Sequence, residues 1–345
     1  MRLRSVLAVL AAGLAAVTCV TAGGPAPAAQ PRGGACSSAV SVQGFSDVLD
    51  KTTYEGTFVG NLSALGVDRG GALAALSDRS ALFTLDPTTL RPRSVVPLAD
   101  ESGAALDSEG LVVDRDGTRL VTSETEPSVR RYGRDGTLLG RLPVPDALRV
   151  APAGRATANQ TFEALTLLPG GRTLLAGMEG ALAGDTPGLV RLQTWQRDRH
   201  RADFRLGHQY GYRTDSGLGL VEAAAVPDGR LLVLERGFTA GVGNTVRLYL
   251  ADLRHATDTF RVEALTGQDG VRLVRKTLLA DLADCPSLGA TAKQPQPNPL
   301  LDNIEGMTIT GRTGGPHGGL RVLLVSDDNQ GATQITRLYS LRVRP

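Results

Sequence analysis

The sequence is short of aromatic side chains, with seven Phe, six Tyr and one Trp in 345 residues. Its core must therefore be packed with Leu, Val and Ala on many short elements rather than around a few large rings. Lysine is also scarce: Lys51, Lys276 and Lys293 are the three present, so the positive charge is almost all arginine. The formal net charge is only +2. That excludes a polybasic nucleic-acid binder and an acidic solvating tail. The four histidines, His200, His208, His255 and His317, show no metal-ligand spacing such as His-Glu-x-x-His. There is no Gly-x-Ser-x-Gly elbow, and no phosphate-binding or dinucleotide fingerprint follows a strand. The apolar run at 6–17 falls short of the ~20 residues that a membrane span needs.

That run has another use. Arg2 and Arg4 precede it, and the small residues Val20-Thr21-Ala22 and Ala26-Pro27-Ala28 follow it. A charged head, a short apolar stretch and a small-residue cleavage site form the pattern of a secretory signal. Residues 1–22 are expected to be removed, with cleavage between 22 and 28, and 23–36 to be a Gly/Pro/Ala-rich linker. Lipid anchoring at Cys19 is the weaker alternative, because Ala16-Val17-Thr18 poorly matches a lipid-attachment motif. Export leaves Cys36 and Cys285, which are expected to form one disulfide. Cleavage after Ala22 also leaves a neutral chain, so no whole-molecule field selects a partner.

The main organising fact is a repeat. Windows starting at Glu109, Glu163, Glu222 and Glu305 each hold an apolar run, a Gly-containing turn and a second apolar run ending in an acid. A fifth copy starts at Ser63 and ends at Asp78. Each window has the signature of a β-hairpin. Third strands are expected at 129–132, 189–194, 246–250 and 335–341. No segment shows a helical period over three turns. Hairpins recurring at about 45–60 residues predict an all-β fold, a β-propeller occupying 37–345. Six blades are expected, with five or seven as alternatives. The sixth would come from 251–284, with strands at 260–265 and 271–279, and a strand within 54–59 would close the ring. Residues 282–300 are expected to be a Pro-rich loop. Trp195 with Arg191, Arg197, Arg199 and Arg201 is expected to lie on a solvated outer strand, or else to form a basic aromatic patch.

Two-residue turns would place Glu109 opposite Glu124, Glu222 opposite Glu235 and Ser63 opposite Asp78. The pairs Glu163/Glu179 and Glu305/Asp327 keep the same ends with longer turns. Like charges facing each other across strands are destabilising. A bound cation, an arginine or a shared proton must offset them. First strands line a propeller's channel, so these acids should ring one mouth. Such oxygen donors suit Ca²⁺, with Mg²⁺ as the alternative. Candidate metal ligands are Asp78, Glu109, Glu124, Glu163, Glu179, Glu222, Glu235, Glu305 and Asp327, with further oxygens from Asn303, Asp328 and Asn329. Arg79 and Arg236 follow second-strand acids and are candidate phosphate or carboxylate clamps. The competing reading has the same acids capping strand ends through backbone N–H groups.

Four segments carry a family resemblance: Leu76-Ser-Asp-Arg79, Asp107-Ser-Glu-Gly-Leu, Asn303-Ile-Glu-Gly-Met-Thr and Leu323-Leu-Val-Ser-Asp-Asp-Asn329. Across about 63–341 the chain resembles the "esterase-like activity of phytase" family of exported bacterial proteins. The resemblance implies a propeller and phosphoester hydrolysis, although the Asp-Asp-Pro-Ala motif of calcium-dependent propeller phytases is absent. On this reading Glu109 and Glu222 act with Arg79 and Arg236 in catalysis on a small phosphate ester, and the chain works as an extracellular monomer. The alternative is a non-catalytic propeller with structural calcium that binds a carbohydrate, a peptide or an envelope partner.

Overall fold

Each of the five hairpins becomes the first two strands of a four-stranded antiparallel sheet. The computed structural model describes residues 34–198, 203–267, 270–314 and 318–345. The signal, most of the linker, Arg199, His200, Arg201 and His317 lie outside them. In chain order, β1 (Val40–Ser46) is followed by a small hairpin, β2 (Thr52–Tyr54) and β3 (Thr57–Val59). Blade 1 comprises β4 (Leu62–Val67), β5 (Leu73–Ser77), β6 (Ala81–Leu85) and β7 (Pro92–Pro97). Blade 2 comprises β8 (Ser108–Val113), β9 (Arg119–Ser123), β10 (Ser128–Tyr132) and β11 (Leu138–Arg141). Blade 3 comprises β12 (Phe162–Leu167), β13 (Thr173–Met178), β14 (Leu189–Gln196) and β15 (Arg205–Arg213). Blade 4 comprises β16 (Gly219–Ala225), β17 (Leu231–Thr239), β18 (Gly243–Asp252) and β19 (Arg275–Asp281). Blade 5 comprises β20 (Ile304–Arg312), β21 (Leu320–Ser326) and β22 (Leu338–Val343), with β1 as its outer strand.

The propeller thus has five blades, not six. The inner strands β4, β8, β12, β16 and β20 each touch the next, and β20 returns to β4. The segment expected to add a blade instead completes blade 4: β19 pairs with β18. Residues 260–265 form no strand. They belong to a long β18–β19 connection pinned to blade 3, where Thr259 N–H donates to the Gln209 carbonyl and Val274 N–H to that of Gly211. The closing strand is also earlier than expected. Val40–Ser46 pairs with β22, whereas Thr57–Val59 pairs only with Thr52–Tyr54. The Cys36–Cys285 disulfide forms as expected and ties the root of the closing strand to the loop after blade 4. That loop, 282–300, holds only one short 3₁₀ turn, Leu282–Asp284.

The core is aliphatic, as the composition requires. Leu62, Leu76, Leu174, Leu232 and Val325 are sealed from solvent between the sheets. The few rings are buried with them. Trp195 is 0% exposed, packs edge-on against Phe162 at 5.8 Å and donates its indole N–H to the Pro143 carbonyl. The expected basic aromatic patch, or solvated outer strand, is therefore a buried third strand: Arg191 is held by Asp185 and Arg197 by Asp114. Where inner strands meet, side chains must be small. A Cβ at Gly110 would fall 2.7 Å from the Glu163 carbonyl oxygen, and one at Gly306 would fall 3.0 Å from that of Ser63. This close approach explains the Glu-Gly pairs that open two of the repeats. Among the described residues no helix is long and apolar enough to cross a membrane.

Candidate functional site

Every inner strand carries a register shift near its first residues, at Ser63, Glu109-Gly110, Glu163, Val221 and Glu305. A β-bulge adds a residue to one strand and re-aims its side chain. The expected face-to-face acid pairs therefore do not form. Ser108 pairs with Ser123 and Leu220 with Glu235, so Glu109 is not opposite Glu124, nor Glu222 opposite Glu235. In four blades the bulged residue sits beside the acid that ends the second strand. The N–H groups of Asp78, Glu124, Glu179 and Asp327 donate to the carbonyls of Asn61, Asp107, Thr161 and Asn303, at 2.8–2.9 Å. In blade 4 the equivalent of these acids is Arg236, which pairs with Gly219.

These residues line one cavity of about 690 Å³. Its wall carries Asp78, Asp107, Glu109, Glu124, Glu163, Glu179, Glu305 and Asp327, with Arg79 and Arg236 as the cations. Two triads bring carboxylate oxygens within 4.8 Å of one another: Asp107, Glu109 and Glu124, and Glu124, Glu163 and Glu179. Glu124 belongs to both. The donor set is all carboxylate oxygen, which suits a hard divalent cation.

Burial pushes all of these carboxyls up, and mutual repulsion adds to it at most of them. Glu109 is raised well above the usual range by burial and then by Glu305, Glu124 and Asp107. Glu163 is raised by burial and by Glu109, Glu179 and Glu124. Asp327 is raised by burial and by Glu305. Glu124 is pushed to about 7 and Asp78 to about 6, each mainly by burial. Arg236 opposes the trend at Glu179 and Glu305, and its Nη2 donates to Glu305 Oε1 at 2.9 Å. Asn303 Nδ2 donates to the same oxygen at 2.9 Å.

A phytase-like family profile, described as esterase-like activity of phytase, matches residues 57–330. The chain belongs to this phytase-like family. No curated protein matches it. Two solved structures match the phytase-like chain at low similarity. One is a structural-genomics target described as a gluconolactonase candidate, with 15% identity and a TM-score of 0.41, covering 81% of this chain and 73% of the other. The second is a gluconolactonase from Xanthomonas campestris, with 16% identity and a TM-score of 0.40, covering 84% and 73%.

Two of the sequence candidates lie away from the mouth of the phytase-like propeller. Glu235 is sealed between blades 3 and 4, where it accepts from Tyr212 Oη at 2.7 Å, Asp215 N–H at 2.8 Å and Lys276 Nζ at 2.6 Å. Glu222 holds the register place of Ala64, Ala164 and Gly306, one residue past the bulge. Its carboxyl accepts from Ala223 N–H at 2.8 Å and from Leu165 N–H of blade 3 at 3.4 Å, inside the channel. Arg79 lines the mouth with 66% of its side chain exposed and Asp78 3.4 Å away. Asp328 is occupied by Lys51 and Asn61 N–H, whereas Asn303 and Asn329 do line the cavity. Sequence reasoning missed Asp107, Phe238, Asn244 and Gln294, which also line it. Asp107 had a signal, since it precedes Glu109 by two residues in a segment that carries the family resemblance.

Proposed function

We propose that this phytase-like propeller is an exported, divalent-cation-dependent phosphoester hydrolase that works at the acidic mouth. The observation that carries the reading is the pair of carboxylate triads sharing Glu124, with Arg236 in the next blade. Such a crowd of buried acids is self-repelling unless protons or cations neutralise it. Ca²⁺, or Mg²⁺ in its place, would be held by Asp107, Glu109, Glu124, Glu163 and Glu179. When bound, it would offset phosphate charge and lower the pKa of coordinated water. Arg236 orients the phosphate, being a rigid guanidinium at the one break in the acidic ring. Burial pushes Asp78 up to about 6, within the range for proton transfer at neutral pH, and its place on the cavity wall suits it to protonate the leaving oxygen. The N-terminal signal pattern and the disulfide support export.

Release of inorganic phosphate from a panel of monoesters and diesters, with and without chelator, tests the reading. Turnover is expected to need the cation and to vanish in Glu109→Gln and Glu124→Gln. Turnover unchanged by chelator and by both substitutions would overturn it. Cation binding without any turnover would favour a non-catalytic propeller that binds an extracellular ligand.

A further inference from the structure

Blade 4 projects further than its neighbours at the mouth. Strands β17 and β18 have nine and ten residues, against six and eight in β13 and β14 of blade 3 and seven and six in β21 and β22 of blade 5. The extra length pairs Phe238 with Asn244 and Arg236 with Val246. Residues two apart on one strand share a face with their cross-strand partners. Arg236, Phe238 and Asn244 therefore share one face, and all three line the acidic cavity.

Two features of this face are unexplained by folding. Asn244 is 1% exposed, yet neither its Nδ2 nor its Oδ1 has a hydrogen-bond partner. Nε of Arg236 is likewise buried and unpaired. Buried amides are almost always satisfied, because an unmade bond there retains the full cost of desolvation. Looseness does not account for the exception. Asn244 N–H donates to Gln296 Oε1 at 2.8 Å, and a Cβ at Gly243 would fall 2.5 Å from the Pro295 carbonyl oxygen. The Pro-rich loop thus packs closely against the hairpin. Phe238 is 54% exposed and, among the described residues, is the one large apolar side chain on the cavity wall.

We propose that this hairpin face is the substrate's second anchor: Asn244 Nδ2 and Arg236 Nε donate to non-bridging phosphate oxygens, and Phe238 covers an aryl or alkyl ester group. The inference rests on the phosphoester reading and adds to it a binding residue and a substrate class. Two unmet N–H donors on one hairpin face call for a ligand group rich in acceptors, which an anionic phosphoryl group is. A divalent cation held by the triads of blades 2 and 3 would offset its remaining charge. An apolar ring at Phe238 selects against highly hydroxylated leaving groups.

Calorimetric binding of inorganic phosphate, methylphosphonate and phenylphosphonate to the full chain in saturating Ca²⁺ tests this without turnover. Asn244→Asp and Asn244→Ser should weaken all three by about tenfold, the scale of a hydrogen bond to a charged group. Phe238→Ala, at an exposed position, should leave phosphate binding unchanged and remove most of the preference for phenyl- over methylphosphonate. Phosphate affinity within about twofold in both folded Asn244 variants would overturn the assignment. So would an unaltered phenyl preference in Phe238→Ala, or absence of phosphate binding to the parent protein. Phosphonate binding that follows this pattern without ester turnover would sink the hydrolase reading and leave the subsite standing. Ester turnover without the pattern would do the reverse.

Discussion

Blades 2 and 4 are the same hairpin with opposite chemistry. In blade 2 the bulged residue is Glu109 and the residue after the second strand is Glu124. In blade 4 the same two places hold Val221 and Arg236. The backbone repeats while the charge inverts. A closed ring of five acidic blades would repel any anion, whereas a ring with one cationic break is an arc that can hold cations on one side and orient an anion at the gap. Blade 4 also has the longer hairpin at this gap, so the blade with no acid on the cavity wall supplies Phe238 and Asn244 to the mouth.

The comparison breaks most readily at Glu124, which serves both triads. Glu124→Gln should weaken Ca²⁺ binding by about 100-fold or more, since a cation site losing a shared charged ligand loses several kcal/mol. Calorimetry would read it. The same substitution removes a repelled charge, so the chelated protein should melt higher than its parent. A variant that kept its calcium affinity would show that the acids of blade 2 do not form the site.

Arg236 is the next test. Its partner Glu305 is buried, and removing one member of such a pair leaves the other uncompensated. Arg236→Gln should cost about 2 kcal/mol of stability in chelator, less than for a fully buried pair because Glu305 can take up a proton. Urea unfolding at pH 7 would measure it, and added Ca²⁺ should restore part of the loss. If the variant unfolds like its parent, Arg236 is not what relieves the arc.

Protons should compete with cations along the acidic arc. Asp78 at about 6 and Glu124 at about 7 bind protons more tightly folded than unfolded, where carboxyls titrate near ~4. Their contribution to stability is therefore full below pH ~4 and is lost as pH rises through 6 and 7. In chelator the melting temperature should fall across that window. In saturating Ca²⁺ the fall should flatten, because the cation replaces the protons. Parallel curves in the two conditions would separate the arc from cation binding.

Much of this arrangement was legible by counting from the turns. Seven residues before Gly70, Asp116, Gly170 and Asp228 stand Ser63, Glu109, Glu163 and Val221. Seven after Gly71, Gly117 and Gly229 stand Asp78, Glu124 and Arg236. Aligning glutamates instead of turns brought Glu222 and Glu235 into the ring, one residue out of step in blade 4. The bulges were not legible, because a register shift depends on how neighbouring inner strands crowd the channel. Nor was the closing strand: 40–46 and 54–59 are both short β-prone segments, and only pairing with β22 decides between them. Residues 260–265 resembled a strand in their apolar content, yet Phe260 is exposed and Leu265 alone is buried, on blade 3, which no local pattern reveals. Asn244 lay on a third strand, outside the hairpins where the acids repeat.

The smallest effect falls at Glu222, and it tests the one-residue offset itself. Its carboxyl is held high by burial, although the backbone N–H groups of Ala223, Leu165 and Met307 favour the charge. These groups come from three inner strands, so the side chain works as a bridge across the channel. Glu222→Gln keeps an acceptor of nearly the same shape and removes the buried charge. Stability should change by about 1 kcal/mol or less, the net worth of one such hydrogen bond. Calcium stoichiometry should not change at all. Val221→Glu, by contrast, restores the missing acid at the bulge and should tighten Ca²⁺ binding while lowering stability in chelator. If Glu222→Gln loses a cation and Val221→Glu gains none, the ring runs through Glu222 and blade 4 is an acidic blade after all.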